Sequence, residues 1–121
     1  MALEKVDLVG KKILITGPSG QVAEPVVAAL ARYAEVYALA RFSKAEDKDR
    51  ITALGASCLS ADLADPDGLS DVPTDFDYVL NFAVVKSGDF DYDLAANGEG
   101  VGRLMLHCRS AKAFLHFSST A

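Results

Sequence analysis

The feature that most constrains the fold is an apolar run at residues 12–16, followed at once by a loop with two glycines and then by a helical pattern. The run Lys-Ile-Leu-Ile-Thr is typical of a strand that is buried on both faces of a sheet. A helix is predicted over residues 21–33, and Pro25 is tolerable near its first turn, where backbone N–H groups lack helical acceptors. The apolar stripe of this helix comprises Val22, Val26, Val27 and Leu30. The segment therefore predicts the first half of a βαβ unit.

Strand-like runs and helical patterns alternate along the rest of the chain, without repeats or a linker. Further strands are predicted at residues 35–40, 56–60, 77–83 and 114–118. Between them we expect a short helix through Ile51 and Leu54, a turn or short helix starting at residues 65–68, and a longer helix over residues 93–111. The stripe expected on the last helix is Leu94, Val101, Leu104, Met105 and Cys108. This order predicts an α/β fold of the Rossmann type, a doubly wound parallel sheet in three αβα layers. We expect one domain, residues 1–121, whose five-stranded sheet is incomplete.

Composition excludes several classes of function. Twelve basic and seventeen acidic side chains give a formal net charge of −5, which disfavours binding to nucleic acid through a broad basic surface. No apolar run reaches the roughly 18–20 residues of a membrane span. Cys58 and Cys108 lack C-x-x-C spacing, and His107 and His116 have no second metal-ligating side chain nearby in the sequence. No metal site is therefore predicted. The default expectation is a cytoplasmic protein with reduced cysteines.

The glycine loop has the chemistry of a phosphate-binding turn. Gly17 lets the chain turn sharply out of the strand, and Gly20 lets the backbone approach a pyrophosphate without a Cβ atom in the way. Ala23 keeps the helix close to the strand, so that unpaired N–H groups at the helix N-terminus face the phosphates. The alternative is a tight strand–helix turn that binds no ligand.

A phosphate-binding turn between a strand and a helix of a βαβ unit is typical of dinucleotide sites, and the end of the second predicted strand bears on the choice between NAD and NADP. Sites that prefer NAD usually place an acidic side chain here, about 20 residues past the loop, where it binds the ribose 2′-hydroxyl. This chain instead has Arg41, and its first acid is Glu46. An arginine can pair with a 2′-phosphate through charge-assisted hydrogen bonds. The sequence therefore favours NADP over NAD, with Arg41 as the main contact and Ser43 or Lys44 as helpers. The alternative is that Arg41 is a solvated loop residue.

The spacing T-G-x-x-G-x-x-A, with the residues downstream of it, resembles the extended short-chain dehydrogenase/reductases, the NAD(P)-dependent epimerase/dehydratase family. The resemblance covers essentially the whole chain and implies a small-molecule substrate, such as a nucleotide-activated sugar or a related hydroxyl or carbonyl compound. The cofactor-binding residues that we carry over or infer are Gly17, Ser19, Gly20, Gln21, Val22, Arg41, Asp62, Leu63, Phe82, Ala83 and Asn97. The resemblance also implies that the catalytic hydroxyl is Thr120, with Ser119 as second choice.

Each match has a structural alternative. Asp62 could be a helix cap or turn residue, and the run from Ser118 to Thr120 could be an ordinary capping turn. Asn97 falls between Leu94 and Val101 on the predicted stripe, so its amide could tie the helix to a neighbouring strand.

The family's Tyr-x-x-x-Lys pair does not occur in the chain. None of its tyrosines has a lysine four positions on. We therefore expect the N-terminal, cofactor-binding portion of a longer enzyme, inactive alone, whose substrate-binding part is absent and whose parent could be a homodimer. The alternative is a non-catalytic NAD(P)-binding module or redox sensor of the atypical short-chain type.

Overall fold

A computed structural model describes residues 8–84 and 86–117. Its strands are β1 (Lys12–Thr16), β2 (Glu35–Ala40), β3 (Ser57–Ser60), β4 (Tyr78–Asn81) and β5 (Ala113–His116). Its α-helices are α1 (Ala23–Leu30), α2 (Ala45–Ala53), α3 (Phe90–Leu94) and α4 (Gly100–His107), and a π-helical stretch, Ala95–Glu99, joins the last two. The strands form one parallel sheet in the order β3-β2-β1-β4-β5.

The two faces of the sheet bury different sets of side chains, which confirms the doubly wound arrangement. On one face, Val27 of α1 and Ile51 of α2 belong to the same apolar cluster as Ile13 and Ile15 of β1. On the other face, Leu14 of β1 belongs to a second cluster, whose further members include Leu63, Phe76, Val79, Leu104 and Cys108. After β3 the chain crosses to β4, on the opposite side of β1, so the order of the strands reverses between β1 and β4. Open α/β sheets bind their ligands at such a reversal, beyond the carboxyl ends of the strands.

The segment between β3 and β4 forms turns, one of the two alternatives, a turn or a short helix, that the sequence left open from residue 65. Residues 61–77 form turns there. The carboxylate of Asp62 accepts a hydrogen bond from the backbone N–H of Ala64 (2.9 Å), and Asp65 does the same for Asp67 (2.9 Å). Because these aspartates bond to the backbone two residues on, they stabilise turns in place of a helix.

The helix before β5 also differs from its prediction. It begins at Phe90 rather than at residue 93, because the carboxylate of Asp89 caps it by accepting from the backbone N–H of Tyr92 (3.2 Å). Within the predicted stripe, Leu104 and Cys108 are buried, but Leu94 and Met105 are about half exposed. The buried positions are Ala96, Gly100, Leu104 and Cys108, four residues apart. The π-helical turn is wider than an α-helical one, so positions chosen on a 3.6-residue period leave the buried face.

Two smaller differences concern helix ends. Helix α1 covers less than the predicted residues 21–33, and Pro25 does lie in its first turn. Helix α2 takes in most of the polar stretch before Ile51. Among the described residues, no helix has the length and apolar character that crossing a bilayer would require.

Candidate functional site

A cleft of about 360 Å³ lies at the carboxyl ends of the central strands. Most of the predicted cofactor-binding residues line it, namely Gly17, Ser19, Gly20, Arg41, Asp62, Leu63, Phe82 and Ala83. The remaining lining residues are Leu39, Ala40, Phe42, Ser43, Asp47, Ala61, Val84 and Ala96. The fold therefore collects, in one cavity, residues that follow β1, β2, β3 and β4.

Some predicted site residues lie elsewhere. Gln21, Val22 and Asn97 are exposed and do not line the cleft. Lys44, the suggested helper of Arg41, does not line it either. Ser119 and Thr120 lie outside the described residues, so their catalytic roles stay predictions.

Gly17 and Gly20 of the loop are glycines for different structural reasons. Gly17 has a φ of +65°, and a Cβ atom there would lie 2.7 Å from the backbone nitrogen of Ala83. Among the residues that the structure describes, a Cβ atom on Gly20 would meet only the carbonyl oxygen of Gly17, at an ordinary 3.6 Å. Gly17 is thus required by the close approach of β1 to the segment after β4. At Gly20 the lack of a side chain leaves open space beside the cleft, which suits the close approach of a pyrophosphate.

The N-terminus of α1 next to this loop has no side-chain cap from the described part of the chain. Its N-cap residue, Val22, makes no capping hydrogen bond. The acid in the first turn, Glu24, pairs with Arg50 of α2 at 2.7 Å. An uncapped helix end with its nearby acid neutralised fits an anionic group such as a phosphate.

A polar network, buried at Thr16 and Asn81 and exposed at His116, lies at the carboxyl ends of β1, β4 and β5. The hydroxyl of Thr16 donates to Oδ1 of Asn81, and both side chains are fully buried. The backbone N–H of Ala83 donates to the Thr16 hydroxyl (3.3 Å), and Nδ2 of Asn81 donates to Nδ1 of His116 (2.8 Å). Because Nδ1 accepts, His116 carries its proton on Nε2 in this arrangement. The network fixes the backbone at Phe82 and Ala83, where it lines the cleft.

Arg41 and Asp62, on neighbouring strand ends, are linked through a residue that the sequence analysis missed. The guanidinium of Arg41 donates to the hydroxyl of Tyr92 (2.9 Å), which in turn donates to the carboxylate of Asp62 (3.0 Å). The Arg41 guanidinium also lies 5.7 Å from the centroid of the Tyr92 ring. Burial and the neighbouring Asp62 carboxylate raise the pKa of Tyr92, so its hydroxyl stays protonated and able to donate at neutral pH.

Asp47 is a second lining residue that the sequence analysis did not select. It lies in the first turn of α2, and its carboxylate pairs with Arg50 at 3.0 Å. Arg50 therefore engages two acids close to the cleft, Glu24 and Asp47. The spacing Asp47–Arg50 on a polar segment is a weak signal of such a pair, whereas the contact with α1 has no local signature.

Comparison with known proteins identifies the family. A profile of the NAD dependent epimerase/dehydratase family matches residues 13–121. The chain belongs to this family. No curated protein sequence matches the chain.

Solved structures agree with the assignment to the epimerase/dehydratase family. A short-chain dehydrogenase/reductase superfamily protein from Agrobacterium tumefaciens, solved with bound NAD, is 29% identical with a TM-score of 0.70, and the match covers 89% of this chain and 32% of that one. A protein from the same organism, provisionally named 2-deoxy-D-gluconate 3-dehydrogenase and solved with bound NADP, is 26% identical with a TM-score of 0.72, covering 93% and 54%. An epimerase from Methanothermobacter thermautotrophicus, 23% identical with a TM-score of 0.76, covers 93% and 36% and supports the fold alone. The chain thus spans between about a third and just over half the length of these proteins.

Proposed function

We propose that the full-length protein is an NAD(P)-dependent oxidoreductase or epimerase/dehydratase that prefers NADP(H). The observation that carries this proposal is the position of Arg41 in the cleft, at the end of β2, where an NAD-preferring site would usually have an acid. Two acids line the cleft: Asp47 is paired with Arg50, and Asp62 follows β3 rather than β2. The A. tumefaciens relatives with bound NAD and NADP support a nicotinamide dinucleotide as the ligand.

The residues of the cleft fit such a ligand. We assign the pyrophosphate to the loop around Gly20 and the uncapped end of α1, and the 2′-phosphate to the Arg41 guanidinium. Asp62 is assigned to the adenine by the family resemblance, and it lines the same cavity. A bound nicotinamide supplies hydride transfer; the chain's own residues hold and orient it.

The proposed substrate is a nucleotide sugar or a related compound with a hydroxyl or carbonyl group. Thr120, or Ser119, is proposed to hydrogen-bond the substrate oxygen after β5. The chemistry also needs a tyrosine to move the proton and a lysine to lower the pKa of that tyrosine. Residues 1–121 hold no Tyr-x-x-x-Lys pair, so the proposal places it after Ala121 in the full-length protein.

The cofactor assignment is tested by fluorescence titration of the full-length protein with NADPH and NADH. We expect saturable binding of both, tighter for NADPH, and an Arg41→Ala variant should lose about tenfold or more in NADPH affinity while NADH affinity changes little. Arg32→Ala is the matched control, because Arg32 is also exposed but precedes β2, at the opposite end of the sheet. Absence of binding to either nucleotide would overturn the proposal, whereas tighter binding of NADH would overturn the NADP preference.

Catalysis is tested separately by following absorbance of the reduced nicotinamide with a set of nucleotide sugars. We expect turnover for at least one member of the set, and a large loss of kcat in a Thr120→Ala variant with cofactor affinity retained. Tight cofactor binding without turnover, in a full-length protein that lacks a Tyr-x-x-x-Lys pair, would contradict the enzymatic proposal in favour of a non-catalytic binding module.

A further inference from the structure

The Tyr92 side chain connects two cleft residues from outside the cleft. Its hydroxyl accepts from Arg41 and donates to Asp62, yet Tyr92 itself does not line the cavity. Arg41 follows β2, Asp62 follows β3, and Tyr92 belongs to α3, so the contact joins three separate segments of the fold. A ligand in the cleft would therefore meet Arg41 and Asp62 but leave Tyr92 in place behind them.

The direction of the two hydrogen bonds along this bridge leaves most N–H groups of Arg41 available to bind an anion. A guanidinium has five N–H groups, and the structure uses one nitrogen of Arg41, Nη1, to bond Tyr92. In the described part of the chain, Arg41 makes no ion pair with Asp62 or with any other carboxylate. The neutral Tyr92 hydroxyl stands between guanidinium and carboxylate, so no carboxylate among the described residues compensates the positive charge of Arg41 directly. The remaining N–H groups can then meet a phosphate in bidentate fashion.

The backbone after Arg41 is also held in an unusual conformation. Phe42 has a φ of +48°, in the left-handed region that non-glycine residues rarely adopt. Its side chain packs against the apolar cluster beneath α1 and α2, and it lines the cleft beside Arg41. Strained backbone of this kind persists only where surrounding contacts determine it, and such positions concentrate at ligand sites. Arg41 is thus restrained on its backbone side by Phe42 and at its head by Tyr92.

We infer that Tyr92 is a positioning residue for cofactor selection: it orients the Arg41 guanidinium to receive the 2′-phosphate of NADP(H). This inference rests on the proposed function, because it concerns how the same site separates NADPH from NADH. Restraining a long, flexible side chain before binding reduces the entropy that is lost when the ligand arrives. The gain applies to the ligand that Arg41 contacts, so it should appear in the NADPH affinity and not in the NADH affinity.

The test is a titration of the full-length Tyr92→Phe variant, which removes the bridging hydroxyl and keeps the ring beside Arg41. We expect NADPH affinity to fall about three- to tenfold, the range for ordering one such side chain, while NADH affinity stays within about twofold. Tyr33→Phe is the control, because Tyr33 is a half-exposed tyrosine that lies before β2, far from the cleft. If the role of Tyr92 is purely structural, Tyr92→Phe should lower the affinities for NADPH and NADH equally, and that result would overturn the inference.

A double-mutant cycle with Arg41→Ala shows whether Tyr92 acts through Arg41. In the Arg41→Ala background, Tyr92→Phe should change the NADPH to NADH affinity ratio by less than about twofold, since the residue that it positions is gone. If wild type prefers NADPH, and Arg41→Ala abolishes that preference while Tyr92→Phe leaves it intact, the inference is wrong and the proposed function stands. If wild type binds neither nucleotide, both fail together.

Discussion

The hydroxyl of Thr16, the last residue of β1, donates a hydrogen bond to Oδ1 of Asn81, the last residue of β4. Both side chains are fully buried, and each has a further partner: Ala83 donates to Thr16, and Asn81 donates to His116. The pair therefore ties the carboxyl ends of adjacent strands at the point where the strand order reverses. It satisfies polar groups that would otherwise be costly to bury.

Removing both members of this pair should cost less than the sum of the two single losses. Asn81→Leu leaves the buried Thr16 hydroxyl without its acceptor, and we expect a loss of about 2–4 kcal/mol in the free energy of unfolding; Thr16→Val should lose about 1–3 kcal/mol. The double variant should lose less than the sum, because neither side chain is left with an unpaired partner. Urea denaturation of the four proteins measures this. Losses that add to within about 0.5 kcal/mol would show that the pair is not coupled.

Gly17 is constrained both by its left-handed backbone conformation and by a close steric contact, and a comparison with Gly10 separates the two effects. Gly17 and Gly10 share a positive φ, +65° and +72°. Within residues 8–84 and 86–117, a Cβ atom at Gly10 would meet nothing within 4 Å, whereas one at Gly17 would meet the backbone of Ala83 at 2.7 Å. Gly10→Ala should therefore cost about 1–2 kcal/mol for its backbone conformation alone. Gly17→Ala should cost a further 1–3 kcal/mol or so, because β1 and the segment after β4 must separate. Equal losses in thermal or urea unfolding would contradict the steric argument.

The elements that the sequence predicted correctly depend on local patterns. The apolar runs place β1 and β2 at their observed bounds, and the parallel topology follows from the alternation of strands and helices. Because parallel strands end at one edge of a sheet, the same reasoning brings Gly17, Arg41 and Asp62 into one cleft.

What the sequence did not predict depends on side-chain contacts between distant segments. The Arg41–Tyr92 hydrogen bond joins residues 51 positions apart, and neither residue has a local pattern that announces it. Asn97 fell on a stripe drawn with a period of 3.6, but the π-helical stretch changes which residues face the sheet, and Asn97 is exposed. Its assignment to the cofactor stays a prediction.

Cys108 should make stability depend on pH in the alkaline range. Burial raises the pKa of its thiol from 9.0 to about 11. Between these values the unfolded chain releases the thiol proton and the folded chain keeps it, so stability falls as pH rises. For this one group we expect a loss of about 1 kcal/mol between pH 8 and pH 10.

The comparison that isolates Cys108 is urea unfolding of wild type and Cys108→Ala at several pH values from 8 to 10. The variant should be less stable than wild type at pH 8, because the substitution leaves a cavity among buried side chains. Its free energy of unfolding should, however, fall less than that of wild type between pH 8 and pH 10. Parallel pH profiles for the two proteins would show that the thiol does not titrate differently in the folded state.

Arg50 should influence cofactor binding without contacting the cofactor. It pairs with Glu24 at 2.7 Å and with Asp47 at 3.0 Å, so Arg50→Met releases two carboxylates close to the phosphate end of the cleft. We expect NADPH affinity to fall about two- to fivefold at low ionic strength, and less in high salt, because exposed charges are screened. Adding Asp47→Asn should recover part of the loss. An affinity that is unchanged at low salt would mean that the two acids are too well solvated to act on the site.

Gly20→Ala offers the sharpest separation of folding from binding. A Cβ atom at Gly20 makes only an ordinary 3.6 Å contact with the Gly17 carbonyl, so the free energy of unfolding should change by less than about 1 kcal/mol. The added methyl group projects beside the cleft, however, where the pyrophosphate is assigned, and we expect NADPH and NADH affinities to fall together by about tenfold or more. Gly17→Ala should differ from this pattern because it mainly lowers the free energy of unfolding. Arg41→Ala should differ because it lowers the NADPH affinity and leaves the NADH affinity nearly unchanged. Normal binding of both nucleotides by a stable Gly20→Ala protein would show that the pyrophosphate does not approach the loop at this point.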